Sequence, residues 1–203
     1  MNQAIATIIK NKISGLDFVD KISGLVSAQS ISVKNGDDNV TKTYPVACCT
    51  TADDCKSGAY NDLCPNSDYK TVIYFEDEGC TLVKTEGRFQ YWESSVTLVC
   101  WINVAKILGD ACSTGATCTL SSEFIVDIIR ELPEFPQNIF PFAQVKIEVE
   151  GQTIRSNSIF SKYTFDELQT QYLMAPYDYF ALDIKTSFAI CINSTDVFDS
   201  TCG

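Results

Sequence analysis

Through the middle of the chain apolar and polar residues alternate with a period of two. Between Glu93 and Ile107 the alternation places Val96, Leu98, Cys100, Ile102 and Val104 on one face, and Thr97, Val99, Trp101, Asn103 and Ala105 on the other. Both sets contain apolar side chains, so this segment is expected to be the central strand of a sheet covered on both sides. The same period runs from Tyr177 to Ile192, with Phe180, Leu182, Ile184, Phe188 and Ile190 inward and Asp183, Lys185 and Ser187 outward. Thr71 to Phe75 reads as a strand, Glu76 to Gly79 as a tight turn, and Cys80 to Lys84 as the answering strand. A second hairpin is expected from Phe142 to Val149 and Thr153 to Phe160, turning at Glu150-Gly151. In its first arm Val145, Ile147 and Val149 alternate against Gln144, Lys146 and Glu148.

The period changes toward 3.6 in two places. Ile5, Ile8, Ile9 and Ile13 predict an amphipathic helix over residues 3–14. Phe124, Ile125, Ile128 and Ile129 predict another from Ser122 to Leu132, capped by Ser121 or Ser122 and stopped by Pro133 and Pro136. Thr164-Phe165-Asp166-Glu167 has the form of a capping box opening a short helix to about Leu173. The pentapeptide Lys12-Ile13-Ser14-Gly15-Leu16 recurs as Lys21-Ile22-Ser23-Gly24-Leu25, which predicts two similar helix ends, each stopped by its glycine. Ala28 to Val33 then reads as a strand, Asn35-Gly36 as a hairpin turn, and Val40 to Ala47 as a return strand. Pro45 suits that strand to a sheet edge. The expectation is an α+β fold: one domain over 1–203, a mostly antiparallel sheet with helices packed on one face, and a long exposed loop near residues 48–68.

Composition narrows the chemistry. The chain of 203 residues contains no histidine, which removes imidazole-based triads and His-bearing metal sites. It contains 10 cysteines. Cys100 and Cys191 lie among apolar neighbours and read as small core residues. Cys48, Cys49, Cys55 and Cys64 fall in the acidic, turn-rich 48–68 stretch, but their spacing does not form the two close pairs that zinc requires. Free thiols are favoured there over a local disulfide, and both over zinc; the same order applies to Cys112 and Cys118. The N-terminus lacks the basic start and apolar core of a secretory signal. No apolar run approaches the ~20 residues that span a bilayer. A chain that folds in a cytoplasm, with no membrane partner, is expected. The net charge of −11 disfavours a nucleic-acid-binding surface.

No phosphate loop or nucleophile elbow is present. The acidic pairs Asp37-Asp38, Asp53-Asp54 and Glu76-Asp77-Glu78 all fall in expected turns, where carboxylates are normally just solvated, so catalysis by them is disfavoured. No catalytic, cofactor-binding or metal-ligating residue is assigned, no cofactor is expected, and the chain is not expected to be an enzyme. Two aromatic groups, Phe89, Tyr91 and Trp92, and Tyr172, Tyr177, Tyr179 and Phe180 around Met174, serve either as core or as partner anchors.

The order of helix, hairpin, long loop, strands, helix, hairpin and final strand resembles the tail-terminator and tail-completion proteins of tailed bacteriophages. The segment Leu173-Met174-Ala175-Pro176-Tyr177-Asp178-Tyr179-Phe180-Ala181-Leu182 carries that resemblance, as does Thr71-Val72-Ile73-Tyr74-Phe75 followed by the Glu93–Ile107 strand. The cysteine-rich, histidine-free composition is also similar to neck and tail ring proteins of crAss-like phages. The resemblance implies a non-catalytic virion component, assembled in the host cytoplasm as a homo-oligomeric ring between adjacent neck or tail proteins. Duplex DNA would pass through its lumen without specific binding, with acidic residues such as Asp53, Asp54, Glu76 and Glu78 repelling phosphate. The alternative is a monomeric cysteine-based metal- or thiol-binding protein using Cys48, Cys49, Cys55 and Cys64.

Overall fold

The computed structural model describes residues 1–35, 38–47, 63–109, 119–132, 137–139, 142–164 and 170–191. Helix α1 (Asn2–Ile13) leads into strands β1 (Lys21–Asn35), β2 (Asp38–Ala47), β3 (Thr71–Glu86) and β4 (Phe89–Asn103). Helices α2 (Val104–Leu108) and α3 (Ser121–Glu131) follow, then β5 (Gln137–Ile139), β6 (Phe142–Ile154), a 3₁₀ turn (Asn157–Phe160) and β7 (Tyr177–Cys191). The strands form one seven-stranded sheet in the order β2-β1-β3-β4-β7-β6-β5. Only β1 and β3 pair in parallel, and the expected α+β architecture is the one found.

β4 lies at the centre, and its alternation divides the core in two. Val96, Leu98, Cys100, Ile102 and Val104 face a cluster closed by Ile5, Ile9 and Ile13 of α1 and by Phe124, Ile125 and Ile128 of α3. Phe18 and Phe124 stack across it with ring centroids 3.7 Å apart. Phe180, Leu182, Ile184 and Phe188 of β7 lie on that side, as their period predicted. Val99 and Trp101 face the other cluster. The 3₁₀ turn supplies Ile159 and Phe160, and Tyr172, Leu173 and Tyr177 complete the cover. The Trp101 indole N–H donates to the Tyr172 carbonyl at 2.7 Å, so its polar end is satisfied inside the layer. Tyr172, Tyr177 and Tyr179 are thereby packing residues, whereas Met174 stands 66% exposed beside them.

Several local expectations are corrected. Glu76–Gly79 is not a turn: β3 continues through it to Glu86, and the chain reverses at Gly87-Arg88. The pairing with β4 slips between Asp77 and Cys80, so Gly79, at φ 106°, serves a bulge, while Gly87, at φ 58°, serves the turn. Glu150-Gly151 is likewise a slip within one continuous β6, which pairs with β7 along its length; no hairpin forms, and 157–160 is the 3₁₀ turn. The apolar segment of β4 ends at Asn103, whose side chain accepts from the Lys106 N–H and opens α2. The second copy of the repeated pentapeptide begins β1 rather than ending a helix. Leu63, Cys64 and Pro65, within the stretch expected to be exposed, are buried. The hairpin joining β1 and β2 is confirmed by the Asn35–Asp38 pairing, and β2 with its Pro45 is an outer strand. Most of the capping box, residues 165–167, lies outside the described residues.

Candidate functional site

The part of the molecule with the least structural explanation is the far end of the β3–β4 hairpin. From Thr71 to Glu76 β3 is buried on both faces; from Asp77 to Glu86 only Cys80 is even partly covered. The change occurs where β1 leaves. β1 pairs with β3 only between Lys21–Val72 and Val26–Glu76, then continues with β2. Beyond Glu76, no described strand lies against that edge of β3, although β4 continues beside it to Phe89. Leu82 and Val83 sit on this projecting half, 42% and 54% exposed. β6 has the other free edge. β5 covers it only near Phe142 and Val145, and among the described residues nothing pairs with its outer side from Lys146 to Ile154. Between that edge and Ile129 and Leu132 of α3 opens a cavity of about 520 Å³.

The base of the projecting half is fastened by side chains. Asn2, at the start of α1, donates through its amide to the Asp77 carboxylate and, at 3.0 Å, to the Gly79 carbonyl. Ser94 donates to the Asn2 amide oxygen at 2.6 Å. On the opposite face Lys162 bridges Glu76 at 2.6 Å and Glu78 at 3.0 Å, and the Tyr163 hydroxyl donates to Glu76 at 2.6 Å. Burial, and then the Glu76 carboxylate, push the Tyr163 phenol well above its ordinary value, so it stays a donor. Glu76, Asp77 and Glu78 are thus three positioned carboxylates rather than a solvated turn. Glu76 and Glu78 share one cation, Lys162.

A second network fixes α3. No local side chain caps this helix; neither expected serine does so. The Leu120 and Ser121 N–H groups instead donate to one Asp178 oxygen at 2.9 and 3.0 Å, and the Arg155 guanidinium donates to the other at 2.7 Å. Burial raises the Asp178 pKa, but the Arg155 and Ser121 bonds outweigh it and leave the carboxyl below its ordinary value. Arg155 adopts a left-handed φ of 51° while making this contact.

The cysteines divide three ways. Cys100 is a buried core residue, and burial pushes its thiol well up; the half-buried Cys80 thiol is pushed up for the same first reason. Neither is poised as a thiolate. Cys191, read from sequence as a small core residue, is buried at the end of β7 and is disulfide-bonded. Cys48, Cys49, Cys55, Cys112 and Cys118, like Asp37, Asp53 and Asp54, lie outside the described residues. Among the described residues no group of three or more His, Cys, Asp or Glu side chains is placed to hold a metal ion. Among them, too, no helix is long and apolar enough to cross a membrane.

Sequence reading missed the projecting half because it placed the turn at the wrong glycine. The available signal was the second one, in Glu86-Gly87-Arg88. No family model, curated protein or solved structure matches the chain.

Proposed function

We propose that the protein is a structural, non-catalytic subunit that closes head-to-tail into a ring, in the neck or tail of a tailed bacteriophage. The observation behind this reading is that two unlike edges on opposite sides of one sheet, the far half of β3 and the outer side of β6, have no strand partner among the described residues. An exposed edge is a template for further pairing, and proteins usually blunt it. Two different edges suit heterologous contacts, which close into rings when the rotation per copy divides a full turn. The inner part of the sheet has cores on both faces, and the described clefts bring together no activated nucleophile, which suits a scaffold. In such a ring duplex DNA passes without specific binding, consistent with a net charge of −11.

The native mass of purified protein, with negative-stain images of the same sample, tests this. A ring of roughly six or twelve copies is expected. A strict monomer of 22.5 kDa at every concentration would sink the reading. A stoichiometric zinc or iron signal in that monomer would favour the metal-binding alternative at Cys48, Cys49, Cys55 and Cys64.

A further inference from the structure

The two free edges run in opposite directions. β3 is antiparallel to β4, β4 to β7, and β7 to β6, so β3 and β6 oppose one another. Around a rotation axis that sets copies side by side in a continuous sheet, β3 of one copy therefore meets β6 of the next as an antiparallel pair. β2, the remaining outer strand, runs the same way as β6 and would have to pair in parallel. It also carries Pro45, and its Thr43 carbonyl already accepts from the Thr164 N–H at 2.8 Å.

The faces match as well. Leu82 lies opposite Trp92, which packs against the helix-side core, so Leu82 points to the helix side. On β6 the helix side carries Ile147 and Val149, which with Ile129 and Leu132 line the cavity under α3. A leucine on a strand added beside β6 would enter that cavity. Lys84 lies opposite Tyr91, on the other face, its ammonium 4.8 Å from the ring centroid. Glu148 and Glu150 occupy that face of β6 and are exposed, Glu148 paired with Lys146 at 2.6 Å and Glu150 near Lys185 at 3.8 Å. Apolar surface would thus meet apolar surface on one side, and on the other the Lys84–Glu86 pair would lie beside the Lys146–Glu148 and Lys185–Glu150 pairs.

We propose that the Asp77–Glu86 half of β3 adds as an antiparallel strand to the Lys146–Ile154 edge of β6 in a second copy of this chain, with Leu82 seated in the cavity between α3 and β6. The proposal rests on the ring reading and names its contact. Leu82→Asp disables the strand, and Ile129→Glu disables the cavity. Both positions are exposed, so circular dichroism and melting of each variant are expected to match wild type. Each variant alone should raise the half-assembly concentration about tenfold or more. Mixed, they should form a 1:1 dimer and stop, because one keeps its cavity and the other its strand. An oligomer that survives Leu82→Asp, or a mixture that stays monomeric, overturns this pairing and leaves the ring reading standing. A wild type that is monomeric at every concentration removes both.

Discussion

The two halves of β3 hydrogen-bond to the same partner, β4, yet they owe their order to different forces. Val72, Ile73, Tyr74 and Phe75 are buried between two cores, and their strand is held by removal of apolar surface from water. Thr81, Leu82, Val83 and Lys84 are exposed, and little beyond the β4 ladder and the Lys84–Tyr91 contact supports them. A ribbon with water on both faces is weakly stable on its own, which is why the side chains at its base matter. Asn2, Asp77 and Ser94 fasten one face there, and Glu76, Lys162 and Tyr163 the other. The contrast indicates that Leu82 and Val83 contribute little to the folding of the monomer.

Substitutions on either side of Glu76 should separate the two regimes. Phe75→Ala, in the buried half, should cost about 4 kcal/mol by chemical denaturation, from lost transfer energy and a cavity. Asp178→Ala should cost about 3 kcal/mol, because it leaves the buried Leu120 and Ser121 N–H groups without their acceptor and removes the Arg155 hydrogen bond. Asp178 also sets a pH dependence. Its folded value lies below the ordinary 3.8, so its contribution is whole above that pH and is lost as pH falls through the lowered value. Below about pH 4 the stability of wild type should therefore fall more steeply than that of Asp178→Asn; equal slopes would mean that the clamp is not formed. Asn2→Ala should cost only about 1 kcal/mol globally, but should speed amide exchange selectively around Gly79 and Cys80. Uniform exchange across the sheet would show that Asn2 does not hold the projecting half. Leu82→Asp should change monomer stability by no more than about 0.5 kcal/mol. A large loss would mean that Leu82 belongs to the monomer core and would dissolve the contrast.

Strand content, the central place of β4, both of its faces and the inward set of β7 were legible because a buried strand writes its environment into a period of two. The long helices were legible for the same reason at 3.6. Turns were legible at the β1–β2 hairpin but not elsewhere, because a glycine in a strand-forming stretch marks either a bulge or a reversal, and the choice depends on which partner the strand finds. Gly79 and Gly151 were read as turns and are bulges, since β4 and β7 continue past them. The fastening networks were also illegible: Asn2 and Asp77, Glu76 and Lys162, and Arg155 and Asp178 come together only when the sheet is assembled.

The pentapeptide Lys-Ile-Ser-Gly-Leu gives the limit its plainest form. Its first copy runs off the end of α1, where Ile13 completes an apolar stripe and Ser14 and Gly15 release the chain. Its second opens β1, with Leu25 in the core and Gly24 so near α1 that a Cβ would come within 3.0 Å of the Gln3 amide nitrogen. Sequence by itself determined which faces must be buried, since that follows from apolar spacing alone. Tertiary structure decided which conformation each copy took and where the strands reversed, because five residues have too little surface to outweigh what they pack against.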